Sequence, residues 1–108
     1  MSVLIKESVS GLRHGHKAVG TSAVQLGGPL PYLPNKGILV RCPGADDPVP
    51  NTVPIWVGST AAVTADSVET SGGFPVLPGD ALFIPADDIE KIWCISTAAS
   101  QDIAWLAI

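Results

Sequence analysis

The stretch GGFPVLPGDALFIPADD, residues 72–88, alternates turn residues with two short apolar runs. Pro78 presets the φ angle at the first central position of a type II turn, and Gly79 accepts the positive φ at the second. We therefore predict a turn that joins GGFPVL to ALFIP, and we expect Pro85 to end the second of these strands. Because each special residue then has a role in the backbone, the stretch is predicted to be a turn between strands and not a catalytic loop.

The chain after residue 18 repeats this pattern of short β-rich runs separated by turn residues. Ten prolines and eleven glycines leave little room for a long helix, and the one helical turn that we expect lies near residues 87–91. Strands at this spacing predict an all-β protein, a single antiparallel β-sandwich that is jelly-roll-like and has an extended N-terminal arm. Besides GGFPVL, the predicted strands are GTSAVQL (20–26), GILVRC (37–42), PIWVGS (54–59), AAVTAD (61–66), DALFIP (80–85), EKIWCIST (90–97) and DIAWLAI (102–108).

Length and composition predict one domain that hides apolar surface by association. The chain has 108 residues, of which 46% are hydrophobic and only 15% charged, against a usual charged share of roughly 25%. The mean hydropathy is +0.36. No apolar run approaches the ~20 residues that span a bilayer, and the start of the chain has no apolar run of signal-peptide length, so we expect no membrane partner and synthesis in the cytoplasm.

Charge is unevenly distributed along the chain. The predicted arm, residues 1–17, contains Lys6, Arg13 and Lys17 against Glu7, whereas the predicted sandwich domain, residues 18–108, is acidic, and the whole chain has a net charge of −4. An acidic body argues against nucleic acid as a partner. The basic arm is suited to an acidic protein surface.

The two cysteines are predicted to be buried thiols. Cys42 and Cys94 each lie inside an apolar run, ILVRC and IWCIS. Two cysteines in a chain that we expect to be cytosolic do not indicate a disulfide framework.

The last two strands are apolar on both faces. In KIWCIS, Trp93 and Ile95 alternate with other apolar residues, and DIAWLAI, with Trp105 and Leu106, is apolar throughout. An antiparallel strand that faces water on one side is expected to be polar there. We therefore predict that Trp93, Ile95, Trp105 and Leu106 lie at a contact between copies of the chain. The alternative is that loops of the same chain cover the second face.

The sequence His14-Gly15-His16 is the sharpest candidate for chemistry. On a strand it would point both imidazoles to one side, as in the metal sites of cupin barrels. Those sites also need a nearby glutamate and a third histidine, but the next glutamate is Glu69 and the chain has no other histidine. We therefore expect no metal site and no other cofactor, and interpret both histidines as part of a solvated or partner-contacting arm.

Other residue patterns also favour structural roles. The pairs Asp46-Asp47 and Asp87-Asp88 lack the alternating oxygen ligands of a calcium loop, and aspartate is common in turns. The chain has no nucleophile elbow, no glycine-rich phosphate loop and no C-x-x-C motif. The three tryptophans lie in apolar strands, where packing is favoured over stacking on sugars. We predict no enzymatic activity and no catalytic residues.

From residue 19 to residue 108 the sequence resembles small virion proteins of tailed phages. In that family a strand ends in a V-G turn, then come a Gly-Phe-Pro segment, a P-G-[DE] turn and a hydrophobic strand, and an alanine- and serine-rich motif ending in glutamine precedes the last strand. The segment CPGADDPVPNTVP is longer and richer in proline than this pattern. The residues that carry the resemblance are Val57-Gly58, Gly73-Phe74-Pro75, Pro78-Gly79-Asp80 and residues 96–101.

The resemblance implies a β-sandwich that binds the outside of a phage capsid, commonly as a homotrimer, with the major capsid protein as partner and the virion surface as location. We expect a decoration (cement) protein whose arm lies along the shell. Two alternatives remain at this stage: a module of a fibre, tail or spike that binds a host glycan, and a small cupin-like metalloprotein. The residues expected to contact the capsid are Lys6, Arg13, His14, His16 and Lys17.

Overall fold

A computed structural model of the chain describes residues 13–28 and 37–108. Within these ranges it contains eight β-strands and one short 3-10 helix, Ile89–Lys91. The strands are β1 (Arg13–Val19), β2 (Val24–Gln25), β3 (Ile38–Arg41), β4 (Ile55–Gly58), β5 (Phe74–Val76), β6 (Ala81–Ile84), β7 (Trp93–Ser96) and β8 (Gln101–Ala107).

The strands form two four-stranded antiparallel sheets packed face to face, so the predicted β-sandwich is confirmed. One sheet, here called the β8 sheet, has the order β1-β8-β3-β6, and the other, the β7 sheet, has the order β2-β7-β4-β5. Consecutive strands alternate between the two sheets except for β4 and β5, which are neighbours. Eight strands connected in this way form a jelly roll.

The predicted turn at Pro78-Gly79 is present. The N–H of Asp80 donates to the carbonyl of Leu77 at 2.8 Å, and Gly79 has a φ of 92°. A positive φ at the second central position is the mark of a type II turn, and glycine adopts it without a steric penalty. The turn carries the chain from β5 in one sheet to β6 in the other, and it is therefore a corner of the sandwich.

The segment AAVTAD, predicted as a strand, forms turns with only one isolated bridge between Thr64 and Gly72. The carboxylate of Asp66 explains the difference, because it accepts hydrogen bonds from the N–H groups of Val68 and Glu69 at 2.9 and 2.8 Å. Aspartate side chains that bond the local backbone compete with strand pairing. GTSAVQL likewise contributes only the two residues of β2, whereas the helical turn predicted near residues 87–91 is present.

The core lies between the sheets and is built from the inward side of each strand. Ile92 and Cys94 are buried, as the alternation within KIWCIS predicts, and Ile103 on β8 is fully buried. Cys42 and Cys94 are both free, buried thiols, in agreement with the sequence analysis. Burial raises the pKa of the Cys94 thiol to about 12, so this side chain is a neutral core group at physiological pH.

The predicted boundary between arm and sandwich needs correction. Residues 13–17, assigned to the arm, are the first five residues of β1, which pairs along its whole length with β8. Exposed and half-buried side chains alternate along β1. The sequence does not show this alternation as an apolar pattern, because a glycine and a lysine occupy inward positions. Gly15 is needed there, since a Cβ at this position would lie 2.7 Å from the Trp105 ring. Residues 1–12, including Lys6, lie outside the described residues.

Substitution of Gly15 tests whether β1 is part of the sandwich. We expect Gly15→Ala to lower the free energy of unfolding by about 1–3 kcal/mol, because the added methyl group overpacks against the Trp105 ring. Gly20→Ala is the matched control, since a Cβ there meets only an ordinary contact at 3.9 Å. Urea unfolding of both variants measures the difference. If Gly15→Ala is as stable as the unsubstituted protein, β1 does not pack against Trp105, and residues 13–17 belong to a solvated arm.

Candidate functional site

The loop between β3 and β4, residues 42–54 (the anchored loop), is held against β8 by Asn51. Continuing the β3–β8 register past the end of β3 places Pro43 opposite Asp102. Proline has no N–H to donate to the Asp102 carbonyl. The buried Asn51 side chain takes that place: its Nδ2 donates to the Asp102 carbonyl at 2.7 Å and its Oδ1 accepts from the Asp102 N–H at 2.8 Å. One carboxamide thus continues the backbone ladder where the strand stops.

Gln101, the first residue of β8, fixes the end of the anchored loop. Its Oε1 accepts hydrogen bonds from the N–H groups of Thr52 and Val53 at 2.8 and 3.3 Å. At the end of β7, the hydroxyl of Ser96 donates to the carbonyl of Pro54 at 3.2 Å. Both ends of the alanine- and serine-rich motif are therefore buried polar anchors for the loop. The motif alone does not reveal this role, because the partners of Ser96 and Gln101 lie 42 and 49 positions away in the sequence.

The outer part of the anchored loop is organised by Asp47. Its carboxylate accepts from the N–H of Gly44 at 2.7 Å and forms an ion pair with Arg41 at 3.0 Å. The Gly44 hydrogen bond, together with the Arg41 guanidinium, lowers the pKa of Asp47 below its usual value. Beyond this point Val49 is 78% exposed. These contacts give the loop a defined conformation at one end of the sandwich, where it exposes the apolar side chain of Val49.

The outer face of the β8 sheet is apolar across its middle. Residues of one row lie side by side on all four strands, and Phe83 at the edge of this row is 45% exposed. An antiparallel sheet that faces water usually carries polar side chains on that side. The alternation within GILVRC and DALFIP was the signal that could have identified Leu39 and Phe83 from the sequence. The row consists of His14, Leu106, Leu39 and Phe83.

Two depressions lie on this outer face. One of about 200 Å³ lies beside Leu39 and Leu106, and one of about 250 Å³ lies beside the anchored loop. The two share Arg41 and Ala104. The first depression is mainly apolar, whereas His16 and the acidic side chains of the loop region line the second. Arg41 thus lines both depressions, and the one beside the loop also has His16, Asp47 and Asp102 in its lining.

The outer face of the β7 sheet is also apolar. Trp93 and Ile95 on β7 and Trp56 on β4 are half-buried there. The indole Nε1 of Trp56 is buried and has no hydrogen-bond partner within the described part of the chain. An unsatisfied buried donor is costly, and most such groups in folded proteins have a partner. Both outer faces of the sandwich are therefore more apolar than is usual for a sheet face in contact with water.

The four residues predicted for a contact between copies do not share one surface. Trp93 and Ile95 lie on the outer face of the β7 sheet, and Leu106 lies on the outer face of the β8 sheet. Trp105 points inward, where it packs against the core and above Gly15. A single flat contact can include Trp93 with Ile95, or Leu106, but not all four.

The basic residues expected to contact a partner are divided in a similar way. His14 and His16 are exposed on the outer face of the β8 sheet. Arg13 and Lys17 lie on the opposite side of β1 because side chains alternate along a strand. The described residues therefore place the basic groups on both sides of one edge strand.

Ion pairs link two further sets of titratable side chains among the described residues. His16 Nδ1 lies 3.0 Å from Asp102 Oδ2, and Lys91 forms an ion pair with Asp87 that lowers the pKa of the aspartate. Asp88 caps the 3-10 helix by accepting from the N–H of Glu90. Within residues 13–28 and 37–108, no group of three or more histidine, cysteine or acidic side chains is arranged to hold a metal ion.

A cavity of about 370 Å³ opens between the two sheets beside β6. Its described lining is almost entirely apolar, with Ser59 and Lys91 as its polar members. The size is at the small end of the range for ligand pockets, but no carboxylate or imidazole lines it among the described residues. The cavity offers apolar contact and no pair of groups for acid–base chemistry. The apolar lining residues are Val57, Leu82, Ile84, Ala86 and Ile92.

Comparison with family models, with curated proteins and with solved structures found no match to this chain. In the part of the chain that the structure describes, no helix is long and apolar enough to cross a membrane.

Removal of the Asn51 carboxamide tests the anchor of the loop. We expect Asn51→Ala to lower the free energy of unfolding by about 2–3 kcal/mol, because it leaves the Asp102 N–H and carbonyl without their partner. Ser71→Ala removes an exposed hydroxyl contact and is expected to change stability by less than about 0.5 kcal/mol. Urea unfolding measures both. Equal effects of the two substitutions would contradict the role assigned to Asn51.

The lowered pKa of Asp47 predicts a loss of stability in acid. A carboxylate whose pKa is lowered by folding stabilises the native state above its unfolded pKa of 3.8, and this contribution is lost as the pH falls through the folded value. Asp47→Asn should therefore be less stable than the unsubstituted protein at pH 7, and the difference should shrink below pH 3.8. Asp46→Asn, at the neighbouring position, controls for loss of charge alone. Urea unfolding at several pH values gives the comparison, and a difference that does not change with pH would contradict the prediction.

Proposed function

We propose that the chain is a non-enzymatic structural protein of a tailed-phage virion that binds the outer surface of the capsid as a homotrimer and stabilises the head. The observation that carries the proposal is the apolar character of both outer faces of the sandwich. Phe83 on one face and Trp93 with Ile95 on the other occupy positions that water-facing sheets fill with polar residues. Surfaces of this kind are suited to large protein partners.

The residues behind the resemblance to phage virion proteins support the proposal through their structural roles. Gly79 forms the corner between β5 and β6, Gln101 anchors the loop, and Gly58 leaves room for Val63, whose Cγ2 would lie 2.5 Å from an added Cβ. These residues form a turn, anchor a loop and allow close packing, so their roles are those of a structural scaffold. None of these roles involves a chemical reaction.

The proposed mechanism is the addition of contact area across boundaries between capsid subunits. Apolar burial contributes about 25 cal/mol per Å², and a stable contact buries roughly 800 Å² on each partner. Copies that bridge neighbouring subunits would therefore raise the free energy needed to open a shell that is under pressure from packaged DNA. The major capsid protein is the proposed partner, and residues 1–12, with Lys6, together with the basic start of β1, are its proposed electrostatic contact.

Binding to undecorated capsids of the parent phage tests the proposal. We expect the full-length protein to co-sediment with capsids at hundreds of copies per particle. A chain consisting of residues 13–108 retains β1 and should fold, but it should bind more weakly because the segment that adds contact area is lost. Binding of the full-length protein should also weaken above roughly 0.15 M salt, where charges are screened within ~8 Å.

The copy number separates the proposal from its main alternative. A dozen or a few tens of copies per virion would identify a vertex, fibre or tail component, for which binding to host glycans is the next measurement. No co-sedimentation of the full-length protein at low salt would contradict the proposal. If the full-length and shortened chains bind equally well, the proposal of capsid binding stands, but residues 1–12 do not contribute to the contact.

A further inference from the structure

Among the residues that the structure describes, the β8 sheet has an unpaired strand at each of its two edges. Within the described residues, β1 pairs only with β8, and β6 at the opposite edge pairs only with β3. An edge strand presents backbone N–H and carbonyl groups that can accept a further strand. The two edges differ in length, sequence and charge, and these differences determine what each can pair with.

The outward backbone groups of β6 can be identified from the hydrogen-bond pattern. The N–H of Cys42 donates to the carbonyl of Asp80 at 3.0 Å, so these residues form a hydrogen-bonded pair. Such pairs alternate along an antiparallel ladder, which directs Leu82 and Ile84 toward β3. The backbone groups of Ala81 and Phe83 therefore point away from the sheet.

The same reasoning applies to β1. Gly37 and Ile108 exchange hydrogen bonds at 2.8 and 3.2 Å, which directs alternate residues of β8 toward β3 and the others, including Trp105, toward β1. Gly15 lies opposite Trp105, so it is bonded to β8. The N–H and carbonyl groups of His14 and His16 consequently point outward.

The two edges are complementary in charge. Strand β6 itself has no charged residue, and the segment that begins at Asp80 and continues through the 3-10 helix is mainly acidic. Strand β1 contains Arg13 and Lys17 as well as two histidines and has no acidic residue. Pairing of β1 with a second β1 would bring like charges together, and like charges directly opposite are destabilising. Pairing of β6 with a second β6 would not bring the basic residues of β1 near acidic ones.

We propose that β6 of one copy pairs antiparallel with β1 of the next copy, with Phe83 opposite His14 and Ala81 opposite His16. The strands of the β8 sheet alternate in direction, so β1 and β6 run in opposite senses. Copies related by rotation about an axis parallel to the strands then meet with β6 and β1 antiparallel. This register also places Asp80 of one copy opposite Lys17 of the next.

Contact between two different edges has a direct consequence for assembly. It is heterologous, so each copy pairs through its β6 edge with one neighbour and through its β1 edge with the other, and the chain of contacts closes into a ring when the rotation allows it. A ring of three copies is consistent with the trimer proposed above. The inference rests on that self-association but not on capsid binding.

Disulfide trapping tests the strand pair and its register. The double variant Ala81→Cys/His16→Cys places two thiols on directly opposed, exposed positions, where Cβ atoms of paired strands are about 4.5–5.5 Å apart. Mild oxidation in the absence of capsids should yield covalent oligomers up to a closed trimer on a non-reducing gel. Ala81→Cys/Ala18→Cys, shifted by two residues, is the matched control and should cross-link much less. Cys42 and Cys94 are buried and remain in all variants.

The single variants distinguish other arrangements. A covalent dimer from His16→Cys alone would show pairing of β1 with β1, and a dimer from Ala81→Cys alone would show pairing of β6 with β6; either result would overturn the proposal. The proposal is also overturned if the unsubstituted protein sediments as an oligomer while the folded double variant forms no intermolecular disulfide. A protein that is monomeric at micromolar concentration overturns it as well, whereas capsid binding by that monomer would leave the proposed function intact.

Charge reversal provides an independent measurement without cysteines. Asp80→Lys should raise the concentration at the midpoint of assembly about fivefold, because it opposes Lys17 with a like charge. Adding Lys17→Glu should restore the original midpoint. Failure of the second substitution to restore assembly, with both variants folded by circular dichroism, would contradict the proposed register.

Discussion

The Asn51 side chain and its two hydrogen bonds to Asp102 are the contact on which the described architecture depends. Strand β8 has seven residues, as β1 does, and it pairs with both β1 and β3. Where β3 leaves this ladder, Pro43 cannot supply a donor, and an unpaired Asp102 would carry the full cost of lost hydrogen bonds. A carboxamide offers one donor group and one acceptor, as a peptide group does, and so it replaces the missing residue of β3.

The same contact gives the anchored loop its position. Asn51 and Gln101 hold its far end, and the Asp47 carboxylate closes its near end on Gly44. The loop also meets the corner between β5 and β6, where the N–H of Gly79 donates to the carbonyl of Cys42 at 2.7 Å. The turn at Pro78-Gly79 and the anchored loop are therefore in contact at one end of the sandwich.

The arrangement of polar groups supports the proposal of a contact function. Four polar side chains are buried in the described part of the chain, and each has a hydrogen bond to the backbone: Asn51, Asp88, Ser96 and Gln101. The other acidic side chains discussed above cap turns or pair with a basic residue. Among the described residues, the surfaces that these contacts leave open include the apolar outer faces and the sheet edges. These are features through which proteins bind other proteins, and the proposed pairing of β6 with β1 uses the edges while leaving the outer faces to a further partner.

Local chemistry determined much of this fold in advance. Pro78-Gly79 requires a type II turn, Asp88 caps a helical turn, and alternation within KIWCIS separates a buried from an outer side; each depends only on neighbouring residues, and each is present. Pairing between distant segments was decided only by the tertiary structure. Residues 13–17 are a strand because β8 provides its edge, Trp105 points inward because Gly15 leaves space for its ring, and Asn51 completes β3 because Pro43 cannot. The role of a residue in such a pair depends on which distant residue lies opposite it in the folded chain. The neighbouring residues in the sequence do not contain that information.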